Sequence, residues 1–309
     1  MRVLARSGIK IGLEDEVGVY KEPTQIVKLA ENTQPQVEFD EVEIPNFGFY
    51  AGAKEIITIA DWGRLSVDIS TCMYKNIDFY STLFAVCNLK ATDDDTLGDN
   101  GAIIFTPWTH SEATASVDCI LPDRKFKASG GKSSFSIEGS VGDKLTLNFG
   151  LQAGYLEEVK GDFESDIVGI DGGEALVIRR LGAMTINGVD VNLSEFKFDM
   201  GNTINYEKFT NVGEFHISDY DPRLTVKMRL EKGGESGFNE FKLGTTMSFE
   251  AIFKDAEQND IFKLVIPKCK IAKTPEFTDQ DGIYVIEREF IALSDKGDDN
   301  FQLIYYKQA

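Results

Sequence analysis

Residues 59–69 read Ile-Ala-Asp-Trp-Gly-Arg-Leu-Ser-Val-Asp-Ile, and residues 217–228 read Ile-Ser-Asp-Tyr-Asp-Pro-Arg-Leu-Thr-Val-Lys-Met. Both stretches begin Ile-x-Asp-aromatic and continue, after a short turn, as Arg-Leu-Ser/Thr-Val-x-apolar, so that Arg64 corresponds to Arg223. After each arginine the apolar side chains fall on alternate positions, which is typical of a β-strand with one buried face. The chain therefore carries the same strand-forming pattern twice.

Two further blocks repeat in the same order. Val-Glu-Phe-Asp at 37–40 matches Phe-Lys-Phe-Asp at 196–199, and the stretch 119–126 resembles 264–271. The downstream block lies farther from the shared arginine in the first copy, which predicts an insertion there. Three blocks in one order predict an internal duplication. The competing interpretation is that β-rich domains reuse similar strands by composition alone.

The composition is that of a soluble globular protein. The 309 residues are enough for two domains, and 42% hydrophobic with 27% charged residues argue against a disordered chain. No apolar run approaches the about 18 residues that a membrane helix needs, and the N-terminal residues lack the apolar segment of a signal peptide. The four cysteines lack the paired spacing of zinc or redox motifs, so we expect reduced, mostly buried thiols.

The sequence pattern divides the chain into four segments. They are an N-terminal arm at 1–36, a first domain at 37–160, a linker at 161–175 and a second domain at 176–309. The arm has little core of its own, and we expect it to order on a neighbour. Glu, Asp and Gly are frequent between 156 and 175, which favours a linker there.

Each domain is predicted to be an antiparallel β-sandwich or open barrel with one flanking α-helix, so the fold class is mainly β with two tandem copies. The first helix is expected at 76–89, where apolar side chains have helical spacing. The side chains with this spacing are Tyr80, Leu83, Phe84 and Cys87. A shorter helix, ended by a glycine, is expected at 236–243 in the second domain.

No catalytic or metal-binding pattern is recognisable. His110 and His216 are the only histidines, and no nucleophile elbow is present. Gly-Lys-Ser at 131–133 lacks the upstream glycine of a phosphate loop. The acidic stretch 91–101, expected to be a loop, lacks the ligand spacing of a calcium-binding loop. We therefore expect neither an enzyme nor a metal or cofactor site.

An apolar loop is the first interface candidate. The stretch 44–52 contains Phe47, Phe49 and Tyr50 and reads as a loop. Exposed aromatic side chains of this kind are costly unless another surface covers them. We expect this loop to lie in a contact between subunits or between rings of subunits.

Charged residues flank the turn in both copies of the repeated stretch. Asp61 and Arg64 flank the first turn, and Asp219 and Arg223 flank the second. One interpretation is a salt bridge that pins each turn. The other is a charged contact between subunits.

With these features together, the chain resembles the tail tube (major tail) proteins of long-tailed bacteriophages, in the class that has two tube domains in one chain. The features that carry the resemblance are Gly-Ile-Lys-Ile-Gly-Leu-Glu-Asp-Glu-Val-Gly-Val-Tyr-Lys-Glu-Pro at 8–23, the strand pair around 60–62, the helix at 80–88, the strands at 134–155, Val-Ile-Pro-Lys-Cys-Lys-Ile at 265–271, Asp-Gly at 281–282 and the strand ending at 290–293. The resemblance covers nearly the whole chain and has no single signature motif.

The resemblance implies a structural virion protein. Each domain would contribute a curved sheet to the inner wall of a ring, three chains would give pseudo-six-fold symmetry, and stacked rings would form the conduit for DNA ejection. The implied partners are further copies of the chain and the tape-measure, tail terminator and baseplate or tip proteins. Double-stranded DNA would pass through without specific binding, and no membrane insertion is implied. The implied location is the virion tail, assembled in the bacterial host cytoplasm.

The net charge of −19 fits this implication. It argues against a conventional nucleic-acid-binding surface, which needs clustered Lys and Arg. We predict that the acidic excess is concentrated on lumen-facing strands and nearby loops, with Asp68, Glu138 and Glu287 as candidates. The alternative is that acidity keeps the free subunit soluble and is spread over the outside.

Two other functions compete with the tail tube. A duplicated β-sandwich could recognise carbohydrate or a cell surface. Such a module would need exposed aromatic side chains in a cleft, yet Trp62 and Trp108 are the only tryptophans. The third hypothesis is a hydrolase whose active site has no recognisable sequence motif.

Overall fold

The computed structural model describes residues 7–45, 54–74, 78–163, 166, 175–176, 184–209, 212–230, 236–254, 259–280 and 282–307. The fold is mainly β, with 64% strand and 5% helix. The described elements are β1 Gly8–Leu13, β2 Gln25–Val27, β3 Gln36–Pro45, β4 Lys54–Cys72, α1 Asp78–Ala85, β5 Leu89–Asp94, β6 Ala102–Pro107, β7 Ala115–Leu121, β8 Arg124–Ser140, β9 Thr146–Lys160, β10 Met184–Ile186, β11 Val189–Asp190, β12 Leu193–Asp199, β13 Asn202–Phe209, β14 Val212–Tyr220, β15 Arg223–Arg229, α2 Phe238–Leu243, β16 Met247–Lys254, β17 Asp260–Ile271, β18 Glu276–Gln280, β19 Ile283–Ala292 and β20 Gln302–Tyr306. Eighteen of these strands belong to one antiparallel sheet, and β13 and β14 form a separate hairpin.

The strands of the first half follow one hydrogen-bonded order. From one edge to the other they run β2, β1, β7, β8, β9, β4 and β3. Helix α1 lies in the chain between β4 and β7, and so does the β5–β6 hairpin. This hairpin occupies the place where the sequence predicts an insertion.

The strands of the second half follow the same order. They run β11, β10, β16, β17, β19, β15 and β12. Strand β18 takes over from β17 along the remaining length of β19. Helix α2 lies between β15 and β16, as α1 lies between β4 and β7.

The repeated Arg-Leu-Ser/Thr-Val stretches form β4 and β15, as predicted. Their alternate apolar side chains are buried: Leu65, Val67 and Ile69 in β4, and Leu224, Val226 and Met228 in β15. The side chains between them are polar and partly exposed. A strand with period two thus turns one face to the core and leaves the other to solvent.

Helix α1 is shorter than predicted but buries the expected side chains. Tyr80, Leu83 and Phe84 are inaccessible to solvent, and the Phe84 ring packs 5.3 Å from that of Phe135 in β8. The chain leaves the helix through Asn88, whose φ of 59° breaks the helical path. Aromatic packing of this helix against β8 therefore anchors the first half.

The two halves share one sheet and one core, although the sequence suggested two separate domains. Strand β12 pairs with β8 of the first half. The C-terminal strand β20 pairs with both β17 and β6. Burial of Phe301 and Tyr305 closes the core between the halves.

Part of the predicted arm is integral to the first half. Strand β1 pairs with β7 along six residues, and Ile9 and Ile11 are completely buried. The expectation of an arm that orders on a neighbour is therefore wrong for this segment. Its alternating isoleucines pack into the core of the same chain, and its backbone pairs with β7 of that chain.

Two predicted irregular segments are partly regular. Strand β5 includes Asp93 and Asp94 of the acidic stretch, because they pair with Ile103 and Ala102 in the hairpin. The first residues of the stretch 156–175 continue β9, which runs to Lys160 opposite Arg124.

Candidate functional site

The candidate site is the polar face of a continuous eight-strand stretch of the sheet. Strands β3, β4, β9, β8, β12, β15, β19 and β18 are hydrogen-bonded in this order and span both halves. One face of this stretch covers the core. We call the opposite face the polar face.

The polar face is lined mainly by small and neutral side chains in the first half. A depression of about 630 Å³ lies over β4, β8 and β9. Its lining includes Ser66, Ser70, Ser134, Ser136 and Asn148. Such side chains offer hydrogen bonds to water without adding charge.

The three predicted lumen residues share this face. Asp68 contributes to the depression over the first half, and Glu138 and Glu287 line a second one with Lys197 and Lys227. The structure thus brings together side chains that lie far apart in sequence. Their shared face follows from the strand period of two and from the pairings of β4, β8 and β19.

Some of the acids on this face have basic partners. Lys197 lies 3.7 Å from Glu138, and Lys227 lies 2.5 Å from Glu195. The hydrogen bond from Lys227 to that carboxylate raises the pKa of the lysine. The lining of the first depression, by contrast, includes Asp68 and Asp199 and no basic side chain. The prediction that the acidic excess faces a lumen stays a prediction.

Strands β8 and β12 join the two halves edge to edge. Their antiparallel register places Phe198 opposite Ile137 and Lys197 opposite Glu138. On the core side, the Phe198 ring packs 6.1 Å from Phe135 and 4.8 Å from Phe301. We call this contact the internal junction. It combines backbone pairing between β8 and β12 with packing of aromatic rings on the core side.

Both ends of the eight-strand stretch are open. Within the part of the chain that the structure describes, β3 pairs with β4 alone and β18 pairs with β19 alone. An open edge presents unpaired N–H and C=O groups, which are a template for another strand. The stretch can therefore be extended at either end.

The β13–β14 hairpin lies against the first half and explains the environment of Arg64. This arginine is 3.4 Å from Asp40 and 3.6 Å from Glu38, and its guanidinium lies 5.7 Å from the centre of the Tyr206 ring. Lys208 of the hairpin also forms an ion pair with Asp40. The hydrogen bond from Lys208 lowers the pKa of that carboxyl.

The turn-pinning salt bridge takes a different form from the one predicted. Arg223 pairs with Asp221 at 2.8 Å and with Glu289 at 2.6 Å, whereas the Asp219 carboxylate accepts a hydrogen bond from the Tyr220 N–H. Asp221 is closer to the arginine along the turn, and Glu289 lies diagonally across the strand pair, opposite Thr225. The turn predicted between Asp61 and Arg64 is absent, because β4 runs unbroken from Lys54 to Cys72. The side chain of Asp61 lies outside the described part.

The predicted aromatic loop lies largely outside the described residues, and Phe47, Phe49 and Tyr50 all fall there. The strands that lead to it expose apolar side chains: Val42, Ile44, Ile56 and Ile57. The hypothesis that this loop lies in an interface stays a prediction.

The described residues contain no cluster of His, Cys, Asp and Glu able to hold a metal ion. His216 lies 3.5 Å from Glu207 within the β13–β14 hairpin, and His110 is exposed on a turn. All four cysteines are free and buried, as predicted. Burial raises the pKa of Cys119 and of Cys269 to about 12, which keeps both thiols protonated and unreactive at neutral pH. None of the described helices has both the length and the apolar character needed to cross a membrane.

Two features of the site were missed from the sequence. One is the internal junction, since strand periodicity carries no information on which edges meet. The other is β18, a five-residue strand with Phe277 exposed. Its correspondence with β8 emerges only from the register of β19.

Comparison with protein-family models gives no match for this chain, and a search of curated protein sequences gives none either.

Proposed function

We propose that this chain is a tail tube subunit of a long-tailed bacteriophage. Chains would join edge to edge into rings, and stacked rings would form a conduit for DNA. The internal junction is the observation that carries the proposal. It pairs β8 of the first half with β12 of the second, and the two halves have the same strand order. The β3 edge of the first half and the β18 edge of the second half stay open, so the same junction can recur between chains.

The proposal includes an internal duplication. The repeated Arg-Leu-Ser/Thr-Val stretch and the shared order of seven strands both support it. The resemblance of 119–126 to 264–271 does not, because the first stretch spans the β7–β8 turn and the second lies within β17. Under duplication, one chain is equivalent to two single-domain subunits that are already joined. A ring of such chains then has twice as many equivalent halves as chains.

Strand spacing favours three chains over two. Eight strands from each of three chains, about 4.8 Å apart, give a wall about 115 Å around and about 37 Å between opposite backbones. Two chains would leave about 24 Å, and side chains from both walls would take about 10 Å of it, which leaves a gap too narrow for a duplex. A duplex fits the larger ring.

The polar face suits the wall of a conduit. DNA binds surfaces that present unpaired cations, because phosphate contacts release counterions. On this face Lys197, Lys227 and Arg223 have carboxylate partners. The first depression adds neutral serines and the carboxylates of Asp68 and Asp199, none of which attracts phosphate, so a duplex would slide past without being held.

In this proposal the chain is structural and has no enzymatic role. Its partners are copies of itself and the tape-measure, terminator and tip proteins of the tail, and its place is the virion. Electron microscopy of the purified protein, with its mass measured by light scattering, tests the proposal. Rings or tubes with a central hole are expected. Compact monomers at all concentrations, together with binding to a carbohydrate array, would instead favour the binding module.

A further inference from the structure

An exposed apolar patch surrounds the open edge of β18. Phe277 of β18 stacks on Phe238 of α2 with ring centres 5.7 Å apart, and both remain exposed, as do Phe241 and Tyr284. None of the side chains of α2 is buried, in contrast to α1. Contiguous exposed apolar side chains of this kind mark a contact surface.

The register of the strands identifies the counterpart of Phe277. Arg64 lies opposite Gly154 as Arg223 lies opposite Ile291, which aligns β9 with β19. In that alignment Phe149 corresponds to Ile286. Phe135 lies opposite Phe149, and Phe277 lies opposite Ile286. The two phenylalanines therefore occupy equivalent positions.

The second half of the chain covers Phe135. Its ring contacts those of Phe198 and Phe301 across the internal junction and that of Phe84 from α1. In the described part of the chain, Phe277 has only the Phe238 ring as an aromatic neighbour. What Phe277 lacks is the strand that would stand where β12 stands beside β8.

The registers of β12 and β3 identify the strand that would lie beside β18. Phe198 of β12 lies opposite Leu224, and Val37 of β3 lies opposite Leu65, so β3 is the equivalent of β12. Phe198 also lies opposite Ile137 across the internal junction. The β9–β19 alignment makes Asp279 the equivalent of Ile137.

We infer that the patch around β18 is the docking surface for a second copy of this chain, whose β3 pairs antiparallel with β18 and places Val37 opposite Asp279. Glu38 then lies opposite Thr278 on the polar face, so no like charges meet there. Val37 covers Phe277 from the position that Phe198 holds over Phe135. This inference rests on the proposed function and fixes which edges meet and in which register.

Engineered disulfides test the register. Directly opposite residues of an antiparallel pair have Cα atoms about 4.5–5.5 Å apart, within disulfide range. We expect the variant with Val37→Cys and Asp279→Cys to form oxidised species larger than the 34.4 kDa of one chain. Within one chain these positions are about 34 Å apart, across seven strand spacings, so any bond joins two chains. The native cysteines are buried and do not compete.

A matched pair controls for proximity alone. Val37→Cys with Thr278→Cys places the two thiols on opposite faces of the sheet and should give no more linked product than either single variant. Glu38→Cys with Thr278→Cys returns them to one face and should link again. Linking of the Val37 and Thr278 positions instead would overturn the register.

The apolar patch is tested separately from the register. Phe277→Asp should abolish ring formation while the monomer stays folded, because this side chain is already exposed in the single chain. Val189→Asp, at an exposed position on β11, should leave rings intact. Rings that form normally with Phe277→Asp would overturn the inference and leave the tail tube proposal standing. Wild-type protein that forms no rings would count against the proposed function itself.

Discussion

Phe135 and Phe277 occupy equivalent positions in the two halves, yet Phe135 is 2% exposed and Phe277 is 51% exposed. Within the eight-strand stretch, each lies in the last strand that its half contributes, β8 or β18, and both face the core side of the sheet. The difference is that the second half continues past Phe135, whereas the described chain ends its sheet at Phe277. Burial at this position therefore depends on a neighbouring half.

The pair gives a stability prediction. We expect Phe135→Ala to lower the free energy of unfolding by about 3–5 kcal/mol, because it opens a cavity among four aromatic rings. Phe277→Ala should cost the monomer less than about 1 kcal/mol, since it removes little buried surface. Urea denaturation of dilute monomer measures both. Equal losses would show that the exposed position is covered within one chain.

Strand identity could be read from the sequence, because alternation at Leu65 and Leu224 reports a half-buried strand whatever its partner. Strand pairing could not. The register of β19 depends on β15, β17 and β18 together, and no local pattern encodes it. The sequence blocks aligned Val37 with Phe196, whereas the pairings make it equivalent to Phe198. A two-residue shift preserves the buried face, so periodicity cannot detect it.

The N-terminal segment was misjudged for a different reason. Its core contribution comes from a few scattered side chains, Ile9, Ile11 and Val27, and polar contacts hold much of the rest. The carboxylate of Glu14 accepts hydrogen bonds from Thr114 and Ser116, at 2.6 and 2.8 Å. An acidic cluster reads as loop in a sequence, whereas here one acid is a structural acceptor.

That carboxylate carries the second prediction. It also accepts the N–H groups of Gly18 and Gly130, so Glu14→Ala leaves four donors without this partner. We expect a loss of about 1.5–3 kcal/mol, as for hydrogen bonds to a charged group. Amide exchange across 14–20 should quicken. Glu16→Ala, an exposed residue of the same loop, is the control, and an equal effect from it would contradict the role of Glu14.

Lys132 gives a prediction about pH. This lysine is buried in β8, where its ammonium donates to Asn88 at 3.0 Å, and burial lowers its pKa to about 8. In the unfolded chain the pKa is about 10.4. Between these values the unfolded state binds more protons, so the lysine makes stability rise with pH.

The variant Lys132→Met isolates this contribution. From pH 8 to about pH 10, the wild type should gain stability relative to the variant, by at most about 1.4 kcal/mol per pH unit. Below pH 8 the difference should be constant. Other titrating groups, including the buried thiols, are common to both proteins and cancel. A difference that does not change with pH would mean that Lys132 titrates normally.

The last prediction concerns the polar face as a conduit wall. Ser66→Lys with Ser136→Lys, made in a background with Asp68→Asn and Asp199→Asn, would place two cations where small neutral side chains now lie. The background removes the carboxylate two residues from Ser66 and the one opposite Ser136. We expect assembled variant rings to bind duplex DNA, whereas wild-type rings do not. Affinity should fall with salt, with a logarithmic slope of about −0.9 for each phosphate contacted. Electrophoretic shifts at several salt concentrations measure this slope. The control variant, Thr92→Lys with Asp99→Lys, adds two cations at exposed positions away from that face. If this control binds DNA as strongly as the serine variant does, the lumen-facing position is contradicted.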